Sequence, residues 1–460
     1  PAMDFSKSFQ ESLKGRSMSS YLGELAKDPK ASQDWVRQQV RASEAPEGLD
    51  SMKRFYSELA KDPEASAAYT ALKAQAAKDP ATLKEMTQFN SRVAENEALS
   101  RQWVANRATS VQTPKGLEAF AQLNRALARD PQASASEARI EARAATSESG
   151  RADLTKFFKA TATSQEASTA YALRTASAMS EPTGRAATSK FMSEMARDPK
   201  ASASVVAAQA RATGGREGLE AYNRIHQAMG NDSQSANAYA GLRASASRDT
   251  QGLKDLTQFA LNIGQDRQAS VDFKGYEARA AADPKGLNSL AQERQNVATS
   301  TPASVAYAGV NAQAAADPKG LAHLTRIKTE VARSPEASTQ FVAADARAAQ
   351  DSKGLQHLAK EQKHVATSTP ASVAYAGVNA KAASTTDGLK HLTTLKTEVA
   401  RSPEASTQFL AADARAAQDP KGLQHLTEER KHVATSTPAS VAYAGVNAKA
   451  ASTSEGLKHL

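Results

Sequence analysis

The stretch DPKGLQHLTEERKHVATSTPASVAYAGVNAKAAS, at positions 419–452, falls into two halves, each opened by a proline that follows Asp or Thr. Short oxygen-bearing side chains cap the first amides of a helix, and proline is tolerated at the first helical position because its missing N–H needs no partner there. Inside a helix the same proline would cost about 3 kcal/mol. The stretch therefore predicts two helices of roughly 13 residues, joined by turns of about three or four residues.

The same pattern recurs along the chain with a period of 34. One column of this repeat, in steps of 34 from Trp35 to Tyr443, is aromatic in eleven of thirteen units. A second column, from Leu25 to Val433, is apolar in twelve of thirteen units. A third feature is the dipeptide Gly-Leu, which recurs at multiples of 34 and ends at Leu49, Leu117, Leu219, Leu253, Leu287, Leu321, Leu355, Leu389, Leu423 and Leu457. Such periodicity is typical of tandem-repeat proteins.

Helices this short are marginal alone, so the repeats must stabilise one another by stacking. The sequence predicts an all-α fold, an α-solenoid (superhelix) of tandem 34-residue helical hairpins, each made of two halves of about 17 residues. Residues 1–14 would form an N-terminal start or cap, 15–453 thirteen tandem repeats, and 454–460 the start of a further repeat. Because 325–392 and 393–460 differ at nine of 68 positions, the last four units form two near-identical modules. We expect the chain to be part of a longer array.

Composition excludes several functional classes. The chain has no cysteine, which excludes disulfides and cysteine nucleophiles. It also has no continuous apolar run long enough for a membrane span and no apolar signal region at its N-terminus. We therefore expect a cytoplasmic protein without membrane insertion, with export independent of a cleaved signal as the alternative. The net charge of +9 is spread along the chain, which permits nucleic-acid binding but does not favour it.

Catalytic motifs are missing from the sequence, and we predict no enzymatic activity, no cofactor and no metal site. Of the eight histidines, His425 and His432 lie seven positions apart on one predicted helical face and could share a metal. Duplication of the repeat is the simpler explanation for their spacing. We interpret the aromatic column as core, since its members stand among alanines; a stacking platform for ligands is the alternative.

A polar stripe on the second helix of each hairpin is the candidate binding surface. Residues four and six positions after the aromatic column are polar in the late units, and we expect them to line the inner, concave side of the superhelix. The stripe comprises Asn311, Asp345, Asn379, Asp413, Asn447, Arg347, Lys381, Arg415 and Lys449. An ordinary solvated face is the alternative interpretation.

The unit has the length of a tetratricopeptide repeat, but Lys73 and Glu85 stand where that signature requires Gly and Ala. The resemblance is therefore one of architecture. The sequence favours a non-enzymatic structural protein, an extended scaffold or spacer of cytoskeletal or filament-associated type that binds protein partners and associates with itself. The alternatives are a nucleic-acid-binding α-solenoid and a secreted effector or adhesin that binds a host protein.

Overall fold

A computed structural model describes residues 16–265, 267–350, 352–366, 368–401 and 419–453, together with Ala417. All regular secondary structure in these residues is α-helical, in 25 helices whose packing pattern repeats along the chain. The predicted all-α solenoid of helical hairpins is thereby confirmed. The predicted terminal segments 1–14 and 454–460 lie outside the described residues, so the domain boundaries stay predictions.

The helices belong to two compact units, Pro1–Leu219 with Met229–Ala236, and Glu220–Ala228 with Asn237–Leu460. Helices α1 to α12 are Arg16–Ala26, Pro29–Ser43, Pro46–Lys61, Pro63–Ala77, Pro80–Glu95, Glu97–Ser110, Pro114–Ala128, Pro131–Ala144, Glu148–Ala162, Gln165–Met179, Pro182–Arg197 and Pro199–Ala212. Helices α13 to α25 are Arg216–Gly230, Ser233–Ser247, Thr250–Gln265, Arg267–Ala281, Pro284–Ala298, Thr301–Ala315, Pro318–Ala332, Pro335–Gln350, Ser352–Ala366, Thr369–Ala383, Thr386–Val399, Pro420–Val433 and Thr437–Ala451.

Helix starts follow the predicted capping chemistry. Asp62 has an extended backbone, and its Oδ1 accepts hydrogen bonds from the amides of Glu64 and Ala65 at 2.9 and 3.0 Å. Pro63 is the first residue of α4. Ser368 does the same for α22, where its hydroxyl accepts from the amide of Ala371. Each cap satisfies an amide that has no partner within the helix.

The helices are longer, and the turns shorter, than the sequence suggested. Most helices have 14 to 16 residues instead of roughly 13. The difference arises because proline lies within the first turn of the helix, and because one residue can end a helix and begin the next. Asp62 does both, since it is the C-cap of α3 and the N-cap of α4.

The apolar column that begins at Leu25 forms the inner side of the first helix of each hairpin. Leu59 and Val93 are fully buried, and Leu127 and Val297 are 1% exposed. Thr161, the polar exception in this column, is also 1% exposed and donates its hydroxyl to the carbonyl of Phe157. The column is therefore buried from Leu25 to Val399, including at the position where its side chain is polar, whereas Val433 is half-buried.

Within each unit, most helices up to α20 pack chiefly against the helix three places further along the chain. In the first unit α4 packs against α7 and, less extensively, α8; in the second unit α18 packs against α21 and α22. Helices that are adjacent in sequence share a smaller contact beside their turn. Hydrogen bonds follow the same spacing: the Asn106 amide donates to the Thr161 hydroxyl at 2.7 Å, 55 residues away. The repeat thus buries its faces against hairpins that are distant in sequence.

A column of serines holds the turn inside most of the described hairpins. The hydroxyl of Ser134 donates to the carbonyl oxygen of Leu127 at 2.6 Å, seven residues earlier, and Ser304 donates to Val297 at 3.0 Å. Nine described serines of this column make that bond. The bond ties the start of the second helix to the last buried residue of the first, so it sets the angle at which the two helices meet.

The glycine of the Gly-Leu dipeptide is required by a close approach of two backbones. A Cβ on Gly286 would overlap the carbonyl oxygen of Ala280, and one on Gly320 would overlap that of Ala314. Both carbonyls lie near the end of the preceding helix. The dipeptide therefore lies where the first helix of a hairpin passes close to the backbone at the end of the preceding helix.

Membrane insertion is not expected from the sequence. Within the described residues, no helix is long and apolar enough to cross a bilayer. The long helix α3 has 16 residues, whereas a span needs about 20 apolar ones.

The serine bond has a matched control within its own column. Ser134 and Ser100 are both buried, but the Ser100 hydroxyl has no hydrogen-bond partner among the described residues. We expect Ser134→Ala to lower the free energy of unfolding by about 1–2 kcal/mol, because the Leu127 carbonyl loses a buried donor. Ser100→Ala should not lower it, because the buried Ser100 hydroxyl has no hydrogen bond to lose. Urea denaturation of the full chain measures both, and equal losses in the two variants would contradict the role given to this bond.

Candidate functional site

Seven of the nine residues in the predicted polar stripe are described by the structure, on four helices. They are Asn311 on α18, Asp345 and Arg347 on α20, Asn379 and Lys381 on α22, and Asn447 and Lys449 on α25. Asp413 and Arg415 lie outside the described residues. All seven are half-buried except Lys449, which is exposed, and no hydrogen bond or ion pair joins two of them. A shared binding role for the stripe stays a prediction.

Several stripe residues instead contact the chain itself. The Asn311 amide donates to the carbonyl of Tyr307 on its own helix at 3.3 Å. Asp345 pairs with Lys396 of α23 at 3.4 Å, and the Lys396 ammonium lies 5.7 Å from the ring centre of Phe341. These contacts reduce the polar surface that the stripe offers to a partner.

Arg347 belongs to a recurring contact that holds helix ends. Its Nε donates to the carbonyl of Ala400, just beyond the end of α23, at 3.1 Å. Arg143 donates in the same way to Arg197 at 2.7 Å, and Arg279 to Ala332 at 3.0 Å. In each case the carbonyl ends the helix three places further along, where it has no partner within its own helix. The column six residues after the aromatic position is therefore partly structural.

In the second unit, members of the aromatic column lie beside buried cations. The Arg294 side chain is 7% exposed, pairs with Glu277 at 2.8 Å, and lies 5.0 Å from the ring centre of Tyr239. Further along, the Arg430 guanidinium lies 3.3 Å from the ring centre of Tyr375, whose hydroxyl donates to Glu361. Aromatic faces attract cations, most strongly where water is excluded. Of the ten described aromatic members of the column, Tyr69, Trp103 and Tyr239 are buried and the other seven are half-buried, so the column is only partly core and faces charged side chains as well as alanines.

Glu293 is the buried acid of this region, at 5% exposure. Burial raises the pKa of its carboxyl, and nearby Asp345 raises it further, while Arg294 and Lys328 act in the opposite direction. Burial also lowers the pKa of Lys328, whose ammonium lies 3.7 Å from the ring centre of Tyr276. The charges of this interior therefore depend on one another for stabilisation.

The first unit contains a comparable cluster. The Arg107 guanidinium lies 3.7 Å from the ring centre of Trp103 and donates to the Tyr69 hydroxyl at 3.2 Å. The Lys73 ammonium lies 5.6 Å from the Tyr69 ring centre and 5.9 Å from that of Trp103. Burial lowers the pKa of Lys73. Two cations thus share two aromatic side chains that are themselves buried.

Glu137 is the acid of this cluster, and it occupies a position that is aromatic in most other units. Burial, together with the nearby Glu141, raises the pKa of Glu137 to about 7, against the opposing effect of Arg107 and Arg174. A carboxyl with that pKa exchanges a proton near neutral pH. The charged groups that act on this carboxyl, Glu141, Arg107 and Arg174, belong to the chain itself.

The histidines do not form a metal site in the described residues. No three His, Asp or Glu side chains there are placed to hold one ion, and His425 and His432 are both exposed on α24. His323 is half-buried, with its ring 3.4 Å from where a Cβ on Gly377 would lie. Burial lowers the pKa of His323, as do Arg326 and Lys381.

Sequence reasoning missed the helix-end contacts of the arginine column and the cations beside the aromatic rings. A signal for one site was present, since Glu137 is the charged member of a column that is aromatic in eleven of thirteen units. The helix-end contacts have no such signal, because their partners lie 53 or 54 residues away and nothing in a local pattern indicates that pairing.

The raised pKa of Glu137 predicts a pH-dependent stability. Below the unfolded pKa, near 4.5, the carboxyl is neutral in both states. Between that value and the folded pKa of about 7, the folded state binds more protons, so stability falls as the pH rises. Glu137→Gln removes this loss of stability, because the glutamine side chain does not titrate. We expect the stability gained by the variant to be about 2 kcal/mol larger at pH 8 than at pH 5.

Glu118→Gln is the control, because Glu118 is exposed on α7 and carries the same charge. Its effect on stability should not change with pH by more than about 0.5 kcal/mol. Urea denaturation of the full chain at the two pH values measures both variants. A gain from Glu137→Gln that is the same at pH 5 and pH 8 would contradict the burial of this carboxyl.

Comparisons with known proteins add no further assignment. No family model, curated protein or solved structure matches the chain. The function proposed for this solenoid therefore rests on its own packing and contacts.

Proposed function

We propose that this chain is a non-enzymatic structural repeat protein, an extended scaffold or spacer whose repeat number sets its reach or valency. The observation that carries the proposal is the repetition of the same contacts in unit after unit. The buried apolar column, the serine hydrogen bond and the close glycine approach all recur with the period of the sequence repeat.

Repeated contacts of this kind suit a spacer because they make units interchangeable. Removing or adding a unit leaves every remaining contact with an equivalent partner. An active site would tolerate such changes poorly, since its residues must come from fixed places. The interior charges support the same conclusion: Arg294 pairs with Glu277, and Arg107 binds Tyr69, so these groups serve the fold.

Protein partners along the helical surface, self-association, a cytoskeletal or filament-associated setting and a cytoplasmic location belong to this proposal. Membrane insertion does not, since no described helix fits a bilayer. Nucleic-acid binding and an exported effector or adhesin are less well supported, because no contact in the described residues favours either one. The arginines at 279 and 347 donate to carbonyls at helix ends.

Deletion of residues 325–392 tests the proposal, because this in-register change joins Leu324 to Thr393 and so keeps the His-Leu-Thr sequence found at Leu392. It removes two repeat units of the thirteen. For an extended spacer we expect the radius of gyration to fall by roughly 15%, in proportion to length; a compact globule would shrink by only about 6%. Small-angle X-ray scattering measures the radius.

A second deletion, of residues 325–385, removes a similar length but breaks the 34-residue register. It should lose helicity and melt earlier than the in-register deletion, as seen by circular dichroism. A full-chain radius near about 23 Å, the value for a compact chain of this length, would contradict the spacer function. So would equal stability of the two deletions.

A further inference from the structure

A cleft in the first unit is lined by three arginines from three helices. Arg92 of α5, Arg143 of α8 and Arg197 of α11 surround a volume of about 440 Å³, together with Glu85. The charged groups on its wall therefore carry an excess of two positive charges, three arginines against one glutamate. Volumes of this order accommodate several side chains of a bound ligand.

Two of the three guanidinium groups are held in place by backbone carbonyls. Arg92 Nη1 donates to the carbonyl of Ala142 at 3.0 Å, and Arg143 Nη1 donates to that of Arg197 at 2.7 Å. Arg143 also forms a two-point pair with Glu85, at 2.8 and 3.3 Å. Groups fixed in this way lose little conformational freedom when they bind a ligand.

Burial and a neighbouring cation both act on the Arg92 guanidinium. Burial lowers the pKa of Arg92, and the nearby Arg151 lowers it further, while Glu95 and Glu85 act in the opposite direction. Arg197 is balanced by Glu194 of its own helix, at 3.0 Å. An anion placed beside Arg92 would offset the effect of Arg151 on this guanidinium.

The repeat itself marks this cleft as distinct. In the column of Arg92, five other units carry an acid instead, at Glu24, Glu58, Glu194, Glu330 and Glu398. The Arg143 contact recurs at Arg279 and Arg347, but the positions that correspond to Arg92 are there occupied by Ala228 and Asn296. The three arginines therefore converge here and not at those two equivalent places.

We propose that this cleft binds the carboxylates of an acidic segment of a partner protein. Arginine suits such a ligand because its planar group can donate two parallel hydrogen bonds to one carboxylate. The cleft is larger than one carboxylate requires, so consecutive Asp or Glu side chains of a peptide would be bound together. The proposal rests on the proposed scaffold function, since it gives that scaffold a partner of defined chemistry.

A fluorescein-labelled hexaglutamate peptide, titrated with the full chain in about 50 mM salt, tests the site by fluorescence anisotropy. Arg92→Glu installs the residue that the repeat carries at five equivalent positions, so we expect the variant to fold. Its affinity for the peptide should fall about tenfold or more, because the change reverses a charge on the cleft wall. Arg92→Asn introduces the residue type that the same column has at Asn296. Arg92→Asn should weaken peptide binding less than Arg92→Glu does. It replaces Arg92→Glu in the test if that variant unfolds at a lower temperature than the unchanged chain.

Arg129→Glu is the matched control, because Arg129 is exposed at the end of α7, outside the cleft, and its replacement changes the net charge equally. It should alter the affinity by less than about threefold. Equal losses of peptide affinity in the Arg92→Glu and Arg129→Glu variants would mean that the peptide binds by non-specific charge attraction. That result would overturn the proposal. Failure of the unchanged chain to bind the peptide would also overturn it. Either result would leave the deletion test of the scaffold unaffected.

Discussion

Close packing of most helices against the helix three places further along the chain is the constraint on which the described structure depends. Helices of 14 to 16 residues cannot hold their shape alone, so each one needs a partner that buries its apolar face. Small residues allow the approach: a Cβ on Gly241 of α14 would lie 3.6 Å from the Cβ of Ala298, the last residue of α17. The arginine contacts to helix ends, the serine bonds and the Gly-Leu crossings all follow from this arrangement.

Much of the fold could be predicted from the sequence because its signals are local. Proline after a capping residue indicates where helices begin, and the column from Leu25 indicates which face is buried. The packing partner of each helix could not be predicted. Every unit presents the same faces, so the sequence repeat does not indicate which unit buries the apolar face of a given helix. The candidate site was harder for the same reason. Arg347 was assigned to a binding stripe, but its carbonyl partner, Ala400, lies 53 residues away.

Departures from the repeat carry the functional information. Columns that serve the packing, such as those that begin at Leu25 and Trp35, vary little in residue type between units, so a residue that departs from such a column is not explained by packing alone. Glu137 in an aromatic column creates a buried acid whose pKa is raised to about 7. Arg92 in a column with several acids creates a cleft with an excess of positive charge. A scaffold built from equivalent units can gain specific sites in this way without changing its architecture.

One introduced disulfide can test whether helices three places apart pack against each other. The test is clean because the chain has no cysteine of its own. A Cβ on Gly309 of α18 would lie 3.3 Å from the Cβ of Ala366 of α21, close to the separation that a disulfide requires. Under mild oxidation the double variant Gly309→Cys, Ala366→Cys should crosslink quickly and keep its helicity. The comparison pair joins Gly309→Cys to Ala343→Cys, at the equivalent position of the next repeat. Crosslinking of the comparison pair, with none between positions 309 and 366, would contradict the account.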